Sequence, residues 1–480
     1  MKIDFFIYIF NENIIIKIII YYHIYVKIEK NERWYMVMID WAKDSIFYHI
    51  YPMGFCGAPK VNTQDVTVNR IKKIEEWIPH IKSMHVNALY LGPVFESSTH
   101  GYDTKDYKKI DRRLGSNEDF KKICEQLHKN NIKIVLDGVF NHVGREFWAF
   151  EDLIKNKDKS KYINWFQNIK FGNEIYKGDG FTYEGWNGHY SLVKLNIMNP
   201  EVQNYLFSCI SYWIDEFDID GIRLDAADYM DRNFFRSLKS FCDGKKQLWL
   251  MGEVIHGDYK LWANKEMLDT TTNYECYKGI YSSHNDKNYF EIAYSINRQS
   301  GDYAIYKDLN LYNFVDNHDV DRIINKLNKK EYLENVYTLL FTMPGIPSIY
   351  YGSEWGIEGV KKNNTDEDLR PDLDINNIIS ENKYILEHIR SLAKTRDNSK
   401  ALRRGAYKQI LIRNEQYVFK RYLDDESIYV LLNLSDNTSR LEFEVNDKEY
   451  LEDQLSGELI KVNNNRISIL LKPFKGMILK

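Results

Sequence analysis

Four short apolar runs of this chain each end in acid. The run 132–139 (IKIVLDGV) carries Asp137, with Asn141 and His142 just beyond it. The run 221–224 (GIRL) leads into Asp225, and 248–251 (LWLM) into Glu253. The run 311–315 leads into Asp316, Asn317, His318 and Asp319. A carboxylate at the end of an apolar run is unfavourable unless it is paired or meets a ligand, and four of them are hard to explain as packing. Asp225 and Glu253 stand 28 residues apart, about one strand–helix repeat, which would set them on neighbouring strands. Two carboxylates side by side in a cleft can perform glycoside hydrolysis. In the retaining form one attacks the anomeric carbon while the other protonates the leaving oxygen and then activates water, with the two about 5–5.5 Å apart. Arg223 precedes Asp225 by two residues and so shares its face of the strand, where a cation favours the ionised nucleophile. A metal-dependent hydrolase would use the same acids and histidines, but the sequence lacks the His-x-His pair expected to open such a site.

The elements that must bring these acids together follow a simple rhythm. Strand-like runs at 45–51, 87–91, 132–139, 221–224, 248–251, 311–315 and 346–351, with a weaker one near 269–274, alternate with amphipathic helical stretches. Ile71, Ile74, Ile78 and Ile81 line one helix face. Phe120, Ile123, Cys124 and Leu127 line another, which Ser116 would cap. Eight apolar strands alternating with helices predict an α/β fold, a (β/α)8 TIM barrel, whose reactive groups gather at the carboxyl ends of its strands. Two segments break the rhythm. Residues 143–204 are rich in aromatics and glycine and read as an inserted domain after strand three. Residues 396–480 are β-rich, with a hairpin expected at Asp424-Asp425, and read as a carboxy-terminal antiparallel β domain. The barrel then occupies 41–142 and 205–395, and 1–40 is an appendage outside the fold.

Composition narrows the partners. The 480 residues carry 65 Lys+Arg and 69 Asp+Glu, a net charge of -4, which offers no case for nucleic acid. Five cysteines with no C-x-x-C pair argue against disulfides and structural zinc, and point to a reducing, cytoplasmic setting. The apolar stretch at 5–26 is interrupted by Asn11-Glu12-Asn13 and by Lys17, so neither a signal peptide nor a membrane helix is expected. No membrane and no protein partner is predicted.

The motifs DGVFNH (137–142), GIRLDAAD (221–228), GEV (252–254) and FVDNHD (314–319), in that order, with HGYDT (100–104) after strand two, resemble the α-amylase family of glycoside hydrolases. The resemblance covers residues 41 to 480. It implies Asp225 as nucleophile, Glu253 as general acid/base and Asp319 as transition-state stabiliser. It also implies Arg223 beside the nucleophile, His142 and His318 on sugar hydroxyls, and Tyr102 stacked on the ring at the cleavage site. Asp137 and Asn141 would be architectural. Asp366 and Arg370 resemble a pair that closes the non-reducing end of the site in relatives acting on short chains. The stretch LVKLN (192–196) is similar to that of the neopullulanase and cyclomaltodextrinase branch, whose extra amino-terminal β domain has no counterpart in the 40 residues before the barrel.

Where many members carry Lys-His three and four residues after the nucleophile, this chain has Asp228 and Tyr229. That pair's His helps hold a structural calcium. Asn141 alone cannot replace a shell of six to eight oxygens, so calcium is at most accessory and no cofactor is obligatory. Trp165 and Trp186 are candidates to stack on sugars, Lys194 either reaches substrate or braces the insert, Asp321-Arg322 reads as an ion pair at the cleft rim, and Cys56 as a small filler. The expected activity is retaining hydrolysis of α-1,4-glucosidic bonds in maltodextrins, cyclodextrins or related α-glucans. The alternatives are a transglycosylase or isomerising glucosyltransferase on the same scaffold and, more remotely, a non-catalytic sugar-binding protein.

Overall fold

A computed structural model describes residues 41–63, 66–362, 365–378, 380–445 and 448–480. The appendage expected at 1–40 lies outside the described residues. Eight parallel strands form one sheet: β1 (Phe47–Ile50), β2 (Ala88–Leu91), β3 (Lys133–Gly138), β4 (Gly221–Leu224), β5 (Trp249–Gly252), β6 (Thr270–Thr271), β7 (Tyr312–Asn313) and β8 (Ile346–Tyr350). Their order is β6-β5-β4-β3-β2-β1-β8-β7, and a parallel bridge between Thr272 and Tyr312 joins the two edges into a barrel. The expected eight-stranded α/β barrel is therefore present, and its sixth strand is indeed the weakest, only two threonines long.

Strand period two sorts the side chains. Phe47, Ala88, Val135, Trp249, Tyr312 and Ile346 fill the barrel interior, while Tyr48, Leu89, Leu136, Ile222 and Leu250 pack outward beneath the helices. Gly221 faces the interior beside Trp249. A Cβ there would sit 2.7 Å from the Trp249 carbonyl oxygen, so glycine is what lets β4 and β5 approach this closely. Two residues further along, the inward positions of β1 to β4 hold His49, Tyr90, Asp137 and Arg223, and Asp225 and Glu253 follow just past the ends of β4 and β5.

The helices obey their sequence signals. Lys73–Ser83 buries Ile74, Trp77, Ile78 and Ile81. Asn117–Lys129 buries Phe120, Ile123, Cys124 and Leu127 and begins with a full capping box, in which Ser116 accepts from the Asp119 N–H and Asp119 accepts from the Ser116 N–H. Between β3 and the helix Pro200–Phe217 lies a small sheet in which His189–Lys194 pairs with His142–Gly144 on one side and Gly185–Trp186 on the other. Phe147, Phe150, Phe166, Phe181 and Tyr183 are buried beside it.

After the last barrel helix, Lys383–Asp397, the chain forms an antiparallel sheet of Ala406–Ile412, Gln416–Leu423, Glu426–Asn433 and Gly476–Leu479. Asp424 takes a left-handed φ of 51° in the expected hairpin. Two buried arginines, Arg421 of this sheet and Arg396 of the last barrel helix, meet at the entry to β8. Arg421 donates to the carbonyls of Thr342 (2.7 Å) and Gly405 (2.9 Å), and Arg396 to those of Phe341 (2.9 Å) and Gly345 (2.6 Å). These carbonyls include the free ones at the end of the helix Leu333–Thr342 that leads into β8. Burial brings both guanidinium groups down to about 9. Among the described residues no helix is long and apolar enough to cross a membrane.

Candidate active site

The inward positions at the carboxyl ends of β3, β4 and β5 bring Asp137, Arg223, Asp225 and Glu253 together. Arg223, only 3% exposed, is the hub. Its guanidinium donates to Asp137 Oδ1 and Oδ2 (2.8 and 2.9 Å) and to Asp225 Oδ1 (2.8 Å), and lies 2.9 Å from Glu253 Oε2. Few other side chains could serve three carboxylates at once, because only arginine carries five donors on one rigid plane. β4 and β5 pair Leu224 with Gly252, so Asp225 and Glu253 leave adjacent strands at the same level. Just past Asp225 the chain turns sharply. Ala226 adopts a left-handed φ of 47°, and its N–H donates to Glu253 Oε2 at 3.0 Å.

The electrostatics separate these acids into two kinds. Burial pushes the Asp225 carboxyl up to about 7, with Arg223 opposing and Glu253 adding repulsion. Burial also raises Glu253 and Asp137 against the pull of Arg223. Asp319 goes the other way. Although burial works against ionisation, His318 Nε2 at 3.0 Å from Oδ2 and Arg370 at 2.9 Å from Oδ1 hold it well below the usual carboxylate range. Carboxylates pushed apart in this way are the mark of divided acid–base roles.

The opposite wall is aromatic. Tyr102 and His318 lie parallel, 5.6 Å apart, with the Tyr102 hydroxyl bonded to His318 Nε2 and 3.2 Å from Asp137 Oδ2. Tyr51 stacks on the other side of His318 at 5.7 Å, and Arg370 covers the Tyr51 ring at 4.4 Å. Arg370 also donates to Asp366 Oδ2 (3.0 Å) and to the His318 carbonyl (3.0 Å), so the fold draws both members of that pair to the site. A cavity of about 610 Å³ opens beside them, lined by Tyr51, His100, Lys361, Asp366 and Arg370 among others. His142 borders the insert. Its Nδ1 is 3.2 Å from the Asn141 amide, its Nε2 has no partner, and burial brings it down to about 3, so the ring is neutral. Among the described residues no group of three or more His, Cys, Asp or Glu side chains could hold a metal ion.

Several sequence readings resolve differently from one another. Trp165 is core: its indole N–H donates to Glu201 and its ring packs on Trp148, Tyr162 and Tyr205. Lys194 braces the insert by pairing with Glu184 at 2.6 Å. Cys56 is buried, which lifts its thiol to about 12, as a filler would be. The ion pair expected between Asp321 and Arg322 does not form. Arg322 is fully buried, with its donors on the carbonyls of Tyr351 and Leu369 and on the Ser353 hydroxyl, while Asp321 pairs with Lys326. Asp316 is likewise structural, accepting from the Ile323 N–H and the Ser353 hydroxyl. Sequence reasoning passed over Tyr51, Tyr90, His49 and Ala226. Tyr90 donates to Asp137 Oδ2 at 2.9 Å, and His49 stacks on Tyr90 at 4.2 Å. Counting inward positions along β1 and β2 would have found His49 and Tyr90.

A family model described as alpha amylase, catalytic domain, matches residues 49–404. The chain is 31% identical over 461 residues to a cyclomaltodextrinase of Thermoanaerobacter pseudethanolicus, spanning 92% of this chain and 78% of that protein. It is 30% identical over 339 residues to an intracellular maltogenic amylase of Bacillus subtilis, spanning 67% of this chain and 57% of that one. Among solved structures it is similar to cyclic α-maltosyl-(1→6)-maltose hydrolase from Arthrobacter globiformis in complex with that sugar, with a TM-score of 0.79 and 27% identity over 92% of this chain and 100% of that one.

Proposed function

This chain belongs to the α-amylase family of glycoside hydrolases, and from that premise we propose that it hydrolyses α-1,4-glucosidic bonds of maltodextrins and cyclodextrins with retention, using Asp225, Glu253 and Asp319. The observation that carries the reading is the single guanidinium of Arg223 within hydrogen-bond reach of both Asp225 and Glu253. It fixes two carboxylates on adjacent strand ends, and burial raises both.

In the first step the ionised Asp225 attacks the anomeric carbon while Glu253 gives its proton to the glycosidic oxygen, and the leaving glucan departs as an alcohol. In the second, Glu253 takes a proton from water, whose oxygen displaces Asp225 from the anomeric carbon. Asp319, kept ionised by His318 and Arg370, faces the sugar as positive charge develops. His142 is neutral with a free Nε2 for a sugar hydroxyl, and His318 and Tyr102 form the wall for the same ring. Arg370 and Asp366 close the far end. None of these steps uses a cofactor. The small sheet of 143–204 and the antiparallel sheets of 396–480 support a division into barrel, inserted domain and carboxy-terminal β domain. Five buried free cysteines and the likeness to an intracellular relative support a cytoplasmic setting.

The test is a panel of maltose to maltoheptaose, cyclodextrins, pullulan, starch, trehalose and sucrose, with and without chelator, with the product anomer read by NMR. Release of the α-anomer from maltodextrins and cyclodextrins, abolished in Asp225→Asn, is expected. A β-anomer product, or an Asp225→Asn enzyme as active as the parent, would overturn the reading.

A further inference from the structure

The proposed mechanism leaves one buried histidine of the barrel floor without a task. His49, on β1, is 3% exposed and touches three other rings. It stacks on Tyr90 at 4.2 Å, tilts against Tyr350 at 4.8 Å and meets His318 edge to face at 5.1 Å. Each of these rings holds a different piece of the site. Tyr90 donates to Asp137, the Tyr350 hydroxyl donates to the carbonyl of Leu369, next to Arg370, and His318 lies 3.0 Å from Asp319. Such packing asks only for a flat ring, which phenylalanine would supply. A histidine adds two nitrogens, and buried nitrogens need hydrogen-bond partners. Among the described residues His49 Nε2 is buried and meets no partner, and the same is true of His318 Nδ1.

The neighbours of His318 show which of its nitrogens carries hydrogen. Asp319 is ionised and offers only lone pairs, so it is His318 Nε2 that donates to Oδ2 at 3.0 Å. Tyr102 accepts from the same N–H and gives its own proton to Asp137 Oδ2 at 3.2 Å. Burial lowers His318 against the pull of Asp319, which keeps the ring neutral. In a neutral ring with hydrogen on Nε2, Nδ1 is an acceptor and calls for a donor. His49 is neutral too: burial lowers it, with His318, Arg223, Asp319 and Arg322 as the charged or titratable groups that face it. A neutral imidazole has one N–H to give. The two orphaned nitrogens do not bond to each other directly, and a buried water joins polar groups left in this way.

We propose that His49 is a positioning residue, whose Nε2–H supplies, through one bound water, the hydrogen bond that His318 Nδ1 requires. His318 is thereby fixed in the tautomer whose Nε2–H is aimed at Asp319. The tautomer is a property of the folded chain alone. Its consequence for rate deepens the proposed glucan hydrolysis and rests on it.

The test joins nitrogen NMR of the full chain, carrying isotope-labelled histidine rings, with kinetics on maltotriose. Signals of His318 are assigned by their loss in His318→Gln, and those of His49 by their loss in His49→Phe. In the parent both rings are expected to show a protonated Nε2 and an unprotonated Nδ1. His49→Phe keeps the ring packing and removes the donor. There His318 is expected to become a mixture of tautomers, and kcat to fall about tenfold with KM changed less than about threefold, the scale of one hydrogen bond made to a charged group. His49→Gln, which returns an amide donor, restores the His318 signature and most of kcat. A parent His318 or His49 protonated at Nδ1 overturns the proposal whether or not His49→Phe folds. So does an unchanged His318 spectrum in His49→Phe, or failure of His49→Gln to restore it. A parent that does not turn over maltotriose overturns the glycosidase reading, while the spectra still decide the tautomer.

Discussion

Arg370 and Asp319 are paired at 2.9 Å although they stand 51 residues apart, and the second Asp319 oxygen lies 3.0 Å from His318. The proposed transition-state stabiliser is therefore held ionised and aimed before any sugar arrives. Arg370 does this from a loop that also carries Asp366, so closing the far end of the site and charging Asp319 are one structural act.

Arg370→Ala is expected to lower kcat/KM on maltotriose by tenfold or more, as loss of a charge-assisted hydrogen bond of about 1.5–3 kcal/mol implies. Removing the cation also raises Asp319, but His318 still holds that carboxylate down and Asp225 still sets the acid limb of the pH–rate profile, which should not move. A profile recorded for parent and variant separates the loss of rate from a change of titration, and Arg370→Lys should recover part of the rate.

The parent's own profile should be bell-shaped, with an acid limb nearer to pH 7 than to the usual carboxylate value of about 4. The reason is the burial that pushes Asp225 up to about 7 beside Glu253. Measuring kcat/KM against pH at fixed ionic strength checks it, and a limb at ordinary carboxylate pH would contradict the geometry.

The same burial makes the site a strain on the fold. Between the ordinary aspartate value of 3.8 and about 7, the folded chain holds a proton on Asp225 that the unfolded chain has released. Stability therefore falls as pH rises through that window and stays reduced above it. Asp225→Asn carries no such burden, and Arg223 keeps Asp137 and Glu253 as partners. The variant should be inactive yet more stable than the parent at pH 8, with the difference shrinking toward pH 4. Thermal unfolding at several pH values measures it.

Gly221→Ala should damage stability and activity together. Its Cβ would press on the Trp249 carbonyl at 2.7 Å and on Val135 at 3.1 Å, and overpacking of this kind costs about 1–3 kcal/mol. β4 must shift to relieve it, and β4 carries both Arg223 and Asp225. Denaturant unfolding gives the first loss and kcat the second.

The acids of this site were legible because each stands in or shortly after an apolar run, which is a rare pattern. Asp137, Asp225, Glu253 and Asp319 all stand out in this way, and the 28-residue spacing places two of them side by side. Of the aromatic wall, Tyr102 and His318 were legible from the motifs that hold them, whereas Tyr51, Tyr90 and His49 were passed over because they lie in or beside apolar runs that carry no acid, in a chain with 36 tyrosines. Ala226 was hidden for another reason: no side-chain chemistry announces a left-handed backbone at alanine. Arg322 misled because adjacency to Asp321 suggested a pair, whereas burial turned its donors to backbone carbonyls. The helix caps and the hairpin at Asp424 came out as read because they depend only on local hydrogen bonding and φ.

Arg421 and Arg396 add a matter of timing. The carbonyls of Phe341, Thr342 and Gly345 stand at the entry to β8, the strand that joins β1 to β7, and one of the two arginines serving them comes from the carboxy-terminal sheet. On the ribosome all eight strands are made before Arg421, so the Thr342 carbonyl waits for its guanidinium partner until the last eighth or so of the chain is reached. A message cut short after Arg370 would encode every proposed reactive group and still leave that carbonyl without its partner.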